Sequence, residues 1–120
     1  MKAIFINTQE KTVTEVDIKG DLDSWYKLIG CDLVEIAARL DNGDIILVDE
    51  EGLWKSPTEF FTFEYAEYTN YPFAGNGLVI GGDGENTTDA KSTLAEITQK
   101  IKFQDKQSII RRIYQPEYPN

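Results

Sequence analysis

The chain is 120 residues long, has no histidine and one cysteine, and sets 12 basic against 21 acidic side chains for a net charge of −9. One domain of this size buries about two thirds of the surface its unfolded form exposes, so a core forms without metal or disulfide staples. The missing histidine excludes Ser-His-Asp and Cys-His catalysis and imidazole zinc sites, and a lone Cys31 excludes an internal disulfide, so the cytosol is the expected compartment.

The opening apolar run, Ala3 to Ile6, turns polar at Asn7, far short of a signal-peptide core, and no later run approaches a membrane span. The expectation is a soluble protein with no membrane partner. Charge is split along the chain: residues 1–90 hold 18 acids and 6 bases, residues 91–120 hold 3 acids and 6 bases. The acidic bulk argues against DNA as a partner, because phosphate neutralisation drives that binding. A small anion still has Lys100, Lys102, Arg111 and Arg112 to meet.

Lys2 to Asn7 alternates Ala3 and Phe5 with Ile4 and Ile6 and reads as a buried strand; Thr12 to Ile18 has the period of a half-exposed one, and together they predict a hairpin. Asp21 or Asp23 caps a short helix carrying Leu22, Trp25, Leu28 and Ile29 and stopped by Gly30. Asp32 to Leu40, the turn Asp41-Asn42-Gly43 and Ile45 to Val48 form the clearest hairpin. After the turn Asp49 to Gly52, Leu53 and Trp54 begin an extended stretch or short edge strand; Thr58 to Tyr68 is open between helix and strand. Tyr71 to Gly77 is loop chemistry, and Leu78-Val79-Ile80 is a central strand running into the glycine-rich Gly81 to Asn86. Thr93 and Glu96 match a capping box for a helix from Leu94 to about Phe103. Ser108 to Tyr114 is strand or helix. The fold class is α+β, a mainly antiparallel sheet with a short N-terminal helix and a C-terminal helix, in one domain over residues 1–120.

Asp49-Glu50-Glu51 reads as a solvated turn rather than an ion site, since adjacent carboxylates rarely converge. Asp83 to Asp89 lacks the glycine and terminal glutamate of an EF-hand loop, and Gly81 to Asn86 lacks the lysine of a phosphate-cradling loop, so a structural turn is the simpler reading. Cys31 reads as a small buried hydrophobe. Tyr71 and Phe73 flank Pro72, where an exposed ring can stack on a base, although most aromatic clusters are core. No residue stands out as catalytic or metal-ligating, and no cofactor is expected.

The runs Trp25 to Glu35, Val48 to Leu53, Ala74 to Gly81 and Thr87-Thr88-Asp89 together resemble a small phage and mobile-element family of unknown function, over residues 1–104. Within it the chain is similar to the phage anti-Thoeris sponge proteins. That resemblance implies a non-enzymatic immune-evasion protein of the infected bacterial cytosol. It would sequester, uncleaved, a glycocyclic ADP-ribose signal, and for some members cyclic di- or trinucleotides (an anti-CBASS activity). It also implies a homo-oligomer, a dimer or an assembly of dimers such as a hexamer, with pockets between subunits. The implied ligand residues are Phe73 for adenine stacking, Arg111 and Arg112 for the pyrophosphate, and Asn76, Asn86 and Thr88 for polar contacts. Two other readings compete. One is an acidic phage protein that inhibits a host protein by direct binding or DNA mimicry, drawn from the charge and an acidic face around Asp41 to Glu51. The other is a nucleotide hydrolase using Asp49, Glu50 or Asp83 with magnesium.

Overall fold

A computed structural model describes residues 1–65, 71–82 and 86–109. β1 (Lys2–Asn7) and β2 (Thr12–Asp17) form the first hairpin, β3 (Val34–Arg39) and β4 (Ile45–Asp49) the second, and both are antiparallel. β7 (Gly77–Gly82) lies between them, pairing β1 on one side and β4 on the other, so the order is β2-β1-β7-β4-β3. The short β8 (Thr87–Thr88) pairs the far end of β7. A second sheet is ordered β6-β5-β9, from β5 (Glu59–Phe63), β6 (Phe73–Ala74) and β9 (Ile101–Asp105).

Both faces of the large sheet are covered, which is why the middles of its central strands, residues 3–6, 45–48 and 78–80, are continuous apolar runs. Ala3, Leu47, Leu78 and Ile80 face helix α1 (Leu22–Ile29) and pack on its Trp25 and Ile29. The alternate residues Ile4, Ile6, Ile46, Val48 and Val79 face the second sheet and helix α2 (Leu94–Lys100), meeting Phe61, Phe63, Ile97 and Ile101. The result is a mostly antiparallel α+β fold in which one layer of strands is sandwiched between α1 and the smaller sheet with α2.

Local chemistry sets the boundaries. Asp21 accepts a hydrogen bond from Ser24 N at 2.9 Å to start α1, and Gly30 at φ 84° ends it by donating to Tyr26 O at 2.8 Å. In the β3–β4 turn Gly43 sits at φ 94°, the left-handed position that closes a three-residue hairpin loop. Thr93 accepts from Glu96 N at 3.1 Å to cap α2.

Three expectations need correction. The α2 helix stops at Lys100 rather than near Phe103, because Ile101 and Phe103 have the period of a strand and find a partner in β5, opposite Phe63 and Phe61. Leu53 and Trp54 lie in a 3-10 turn (Gly52–Trp54), not an extended edge. Within the Tyr71–Gly77 loop, Phe73 and Ala74 pair with β5 as a two-residue strand. The open segment Thr58 to Tyr68 is strand over Glu59–Phe63; residues 66–70 and 110–120 lie outside the described residues.

Ser24 N–H donation holds the Asp21 carboxyl below its ordinary value, and the N-terminal ammonium, 2.9 Å from Asp17, does the same there. Groups with lowered values stabilise the fold above their unfolded value and lose that contribution as pH falls through the folded one. Thermal stability is therefore expected to drop on acidification below about pH 4. In Asp21→Ala that drop should be shallower and α1 amides should exchange faster; an unchanged acid slope would show that the cap contributes nothing.

Candidate binding site

A cavity of about 400 Å³ lies where the start of β3, the end of β4, the 3-10 turn and the segment around β6 meet. Val48, Leu53, Phe73 and Ala74 wall it, Tyr71 closes one side, and the carboxyl-bearing Glu35 and Glu50 stand at its rim. Pairing with β5 sets Phe73 opposite Phe61, their ring centres 5.4 Å apart, and the Tyr71 ring centre lies 5.1 Å from that of Phe73. The 3-10 turn is pinned by Asp49, which accepts from Glu51 N at 2.9 Å and pairs with Lys55 Nζ at 2.8 Å. The Asp49 carboxylate raises the Lys55 ammonium above its usual value by accepting its hydrogen bond.

Phe73 is only 7% exposed and its ring neighbours are Phe61 and Tyr71, so little of it is open to solvent in this chain. The exposed aromatics of this region are Tyr71 at 56% and, next to the wall residue Leu53, Trp54 at 84%. The flanking Pro72 marks Tyr71 in the sequence as loop-borne; Trp54 carries no comparable signal, because an aromatic after a turn more often enters the core.

Asn76 lines an adjoining cavity of about 240 Å³ that shares Asp49 and Ala74 with the first. Its Oδ1 is committed to Thr8, accepting from the backbone N at 2.9 Å and from Oγ1 at 3.0 Å, which joins the β1–β2 turn to the entry of β7. Thr88 and Asn86 belong to the opposite end of β7, where Thr88 pairs Gly81. Five strand positions, about 17 Å, separate that end from Asn76. Phe73 and Asn76 thus lie near the start of β7, and Asn86 and Thr88 near its far end. Arg111 and Arg112 lie outside the described residues; Ile109, the last one described, packs on Phe60 and Ala74.

Of the four cations nominated for a small anion, the two among the described residues have neighbours of their own: Lys102 pairs with Glu64, and Lys100 lies 5.8 Å from the Tyr65 ring centre. The expected acidic face around Asp41 to Glu51 is partly turned inward. Asp44 is fully buried and the Asp49 side chain is 9% exposed. Among the described residues no three metal-capable side chains gather, and Asp83 of the hydrolase reading is not among them. Burial, with Asp49 nearby, pushes the Cys31 thiol up, away from nucleophilic chemistry. No helix of the described residues is long and apolar enough to cross a membrane.

The fold and cavity define a small α+β domain with an aromatic-walled, acid-rimmed recess. The chain belongs to the DUF3846 family, a domain of unknown function, whose family pattern matches residues 1–104. No curated protein and no solved structure matches it.

Proposed function

We propose that this DUF3846 protein is a non-catalytic binding protein that acts by occupying a partner, and that the partner is a protein presenting basic and apolar side chains. The observation that carries this reading is the recess: aromatic and aliphatic walls, carboxylates of Glu35 and Glu50 at the rim, and the 84% exposed Trp54 beside it. Trp and Tyr are the residues most enriched at the centres of protein interfaces, and rim charges steer an oppositely charged partner. A pyrophosphate in the same recess would face both carboxylates, no Lys or Arg among the described residues lines it, and the ammonium of Lys55 beside it is already paired with Asp49.

The test is capture from a bacterial cytosolic extract by the immobilised protein. Trp54→Ala should leave thermal stability within about 0.5 kcal/mol, as expected for an exposed surface side chain, while abolishing capture; capture by the parent should weaken steeply with salt. Equal capture by parent and variant would sink the assignment of this face.

A second reading, sequestration of a cyclic ADP-ribose isomer by a cytosolic homo-oligomer, follows from the anti-Thoeris resemblance. It is favoured by one observation: Ile109 packs on the recess wall at Ala74, and Arg111 and Arg112 stand two and three residues further along the sequence. Calorimetric titration with that nucleotide, then heating and mass spectrometry, separates the readings. Tight binding with intact nucleotide released supports sequestration, linear product makes the protein an enzyme, and absence of heat leaves the protein partner.

A further inference from the structure

The recess opens along β3, and β3 is an edge of the large sheet, hydrogen-bonded to β4 alone among the described strands. An edge strand presents a row of unpaired N–H and C=O groups, and proteins blunt such edges with charge, bulges or cover. The opposite edge, β2, is blunted: Thr12, Thr14, Glu15 and Asp17 are exposed along it. β3 differs. It too carries exposed charges, Glu35 and Arg39, but Leu33 just before it is 46% and Ile36 within it 41% exposed, and the bulge between Ile36 and Ala38 interrupts regular pairing only beyond that point. The pairable stretch is therefore residues 33–36, beside the recess.

Glu35 stands directly opposite Val48, so the two side chains share a face, and Val48 is a wall of the recess. A strand added to β3 would place the residue opposite Glu35 on that same face, and the residue two positions away over the recess walls. We propose that the partner's contact is an extended segment that adds to β3 as a further strand. It sets a Lys or Arg beside Glu35 and Glu50 and, two residues along, an apolar side chain into the recess against Tyr71. The inference rests on the protein-partner reading above. A second copy of this chain is the poorer occupant, because a two-fold pairing through this face would bring the same carboxylates together.

The probe is an acetylated, amidated peptide, Thr-Val-Arg-Val-Leu-Thr, titrated into the isotope-labelled full chain and followed by backbone amide shifts. Saturable shifts confined to the amides of residues 33–36 and 48–54 and of Tyr71, Phe73 and Ala74 are expected. Replacing the peptide's Arg by Glu should abolish them, and Glu35→Gln should weaken binding by up to about fivefold, the upper range for a cross-strand ion pair. A peptide N-methylated on the amides that face β3 keeps every side chain and should also fail to bind. Normal amide dispersion of Glu35→Gln establishes that it folds.

Equal binding by the N-methylated peptide, shifts centred on β2, or no shifts at millimolar peptide would each overturn strand addition. If Trp54-dependent capture survives such a result, the binding-protein reading stands and only its mode falls. If capture is absent and the cyclic nucleotide binds, the reading itself falls.

Discussion

Asp44→Ala is expected to cost about 3 kcal/mol and to lower the melting temperature by roughly 12 °C. The side chain is fully buried in the tight turn between β3 and β4, yet its work is done elsewhere in the sequence. It accepts from Lys91 N at 2.9 and 3.0 Å and from Ser92 N at 2.7 Å, and Asn42 Nδ2 adds a bond to Ser92 Oγ at 2.9 Å. These bonds fasten the turn to the segment that leads into α2. Alanine would leave the buried Ser92 N–H and the partly buried Lys91 N–H without an acceptor. Asp44→Asn should fall between, since its amide keeps one acceptor and points a donor at other donors. Thermal unfolding followed by circular dichroism decides it; a loss under about 1 kcal/mol for alanine would mean that water replaces the carboxylate freely.

The second large effect is expected at Gly81. A Cβ there would lie 2.2 Å from Asp89 O and 2.7 Å from Thr88 Oγ1, and backbone cannot swing aside as a side chain can. Gly81→Ala must therefore push β8 away from β7, at a cost near the upper end of overpacking, about 3 kcal/mol. The displacement would spread, because the same segment is sewn to the start of β1: Asp89 Oδ1 accepts from Lys2 N, and Ala90 N donates to Lys2 O, both at 2.9 Å. Amide exchange at Ala90 and Lys2 should rise with the loss of stability. Gly82→Ala is the matched control, since among the described residues its Cβ would meet only Asn86 O at 3.5 Å, an ordinary contact. Equal behaviour of the two variants would refute the steric account.

Period and turn chemistry made most of the large sheet legible. Ala3 and Phe5 against Ile4 and Ile6 announce a strand buried on both faces, and the structure divides them between α1 and the second sheet. Asp21, Gly30 and Gly43 mark their boundaries by capping and turn geometry alone. What failed was pairing between distant segments. Ile101 and Phe103 continue an acceptable helical pattern after Ile97 and become strand only because β5 lies alongside. Phe73 looks loop-borne until Phe61, far back in the chain, takes it into the core. The recess escaped for the same reason: residues 35–37, 48–53 and 71–74 make it jointly, and no local pattern ties them together. Nor does the turn Asp41 to Asp44 reveal that one of its carboxylates is a buried tie.

The central position of β7 also constrains how the molecule is made. The two N-terminal hairpins are each local in sequence, but the large sheet joins them only through β7, which pairs β1 and β4 at once. A chain emerging from the ribosome therefore carries two separate hairpins, each marginal alone, with their inner edges open until residue 82 has cleared the exit. Closing the sheet is then a single event that reaches back more than seventy residues to β1, a high-contact-order step that favours slow folding and leaves nascent chains reliant on protection until β7 inserts.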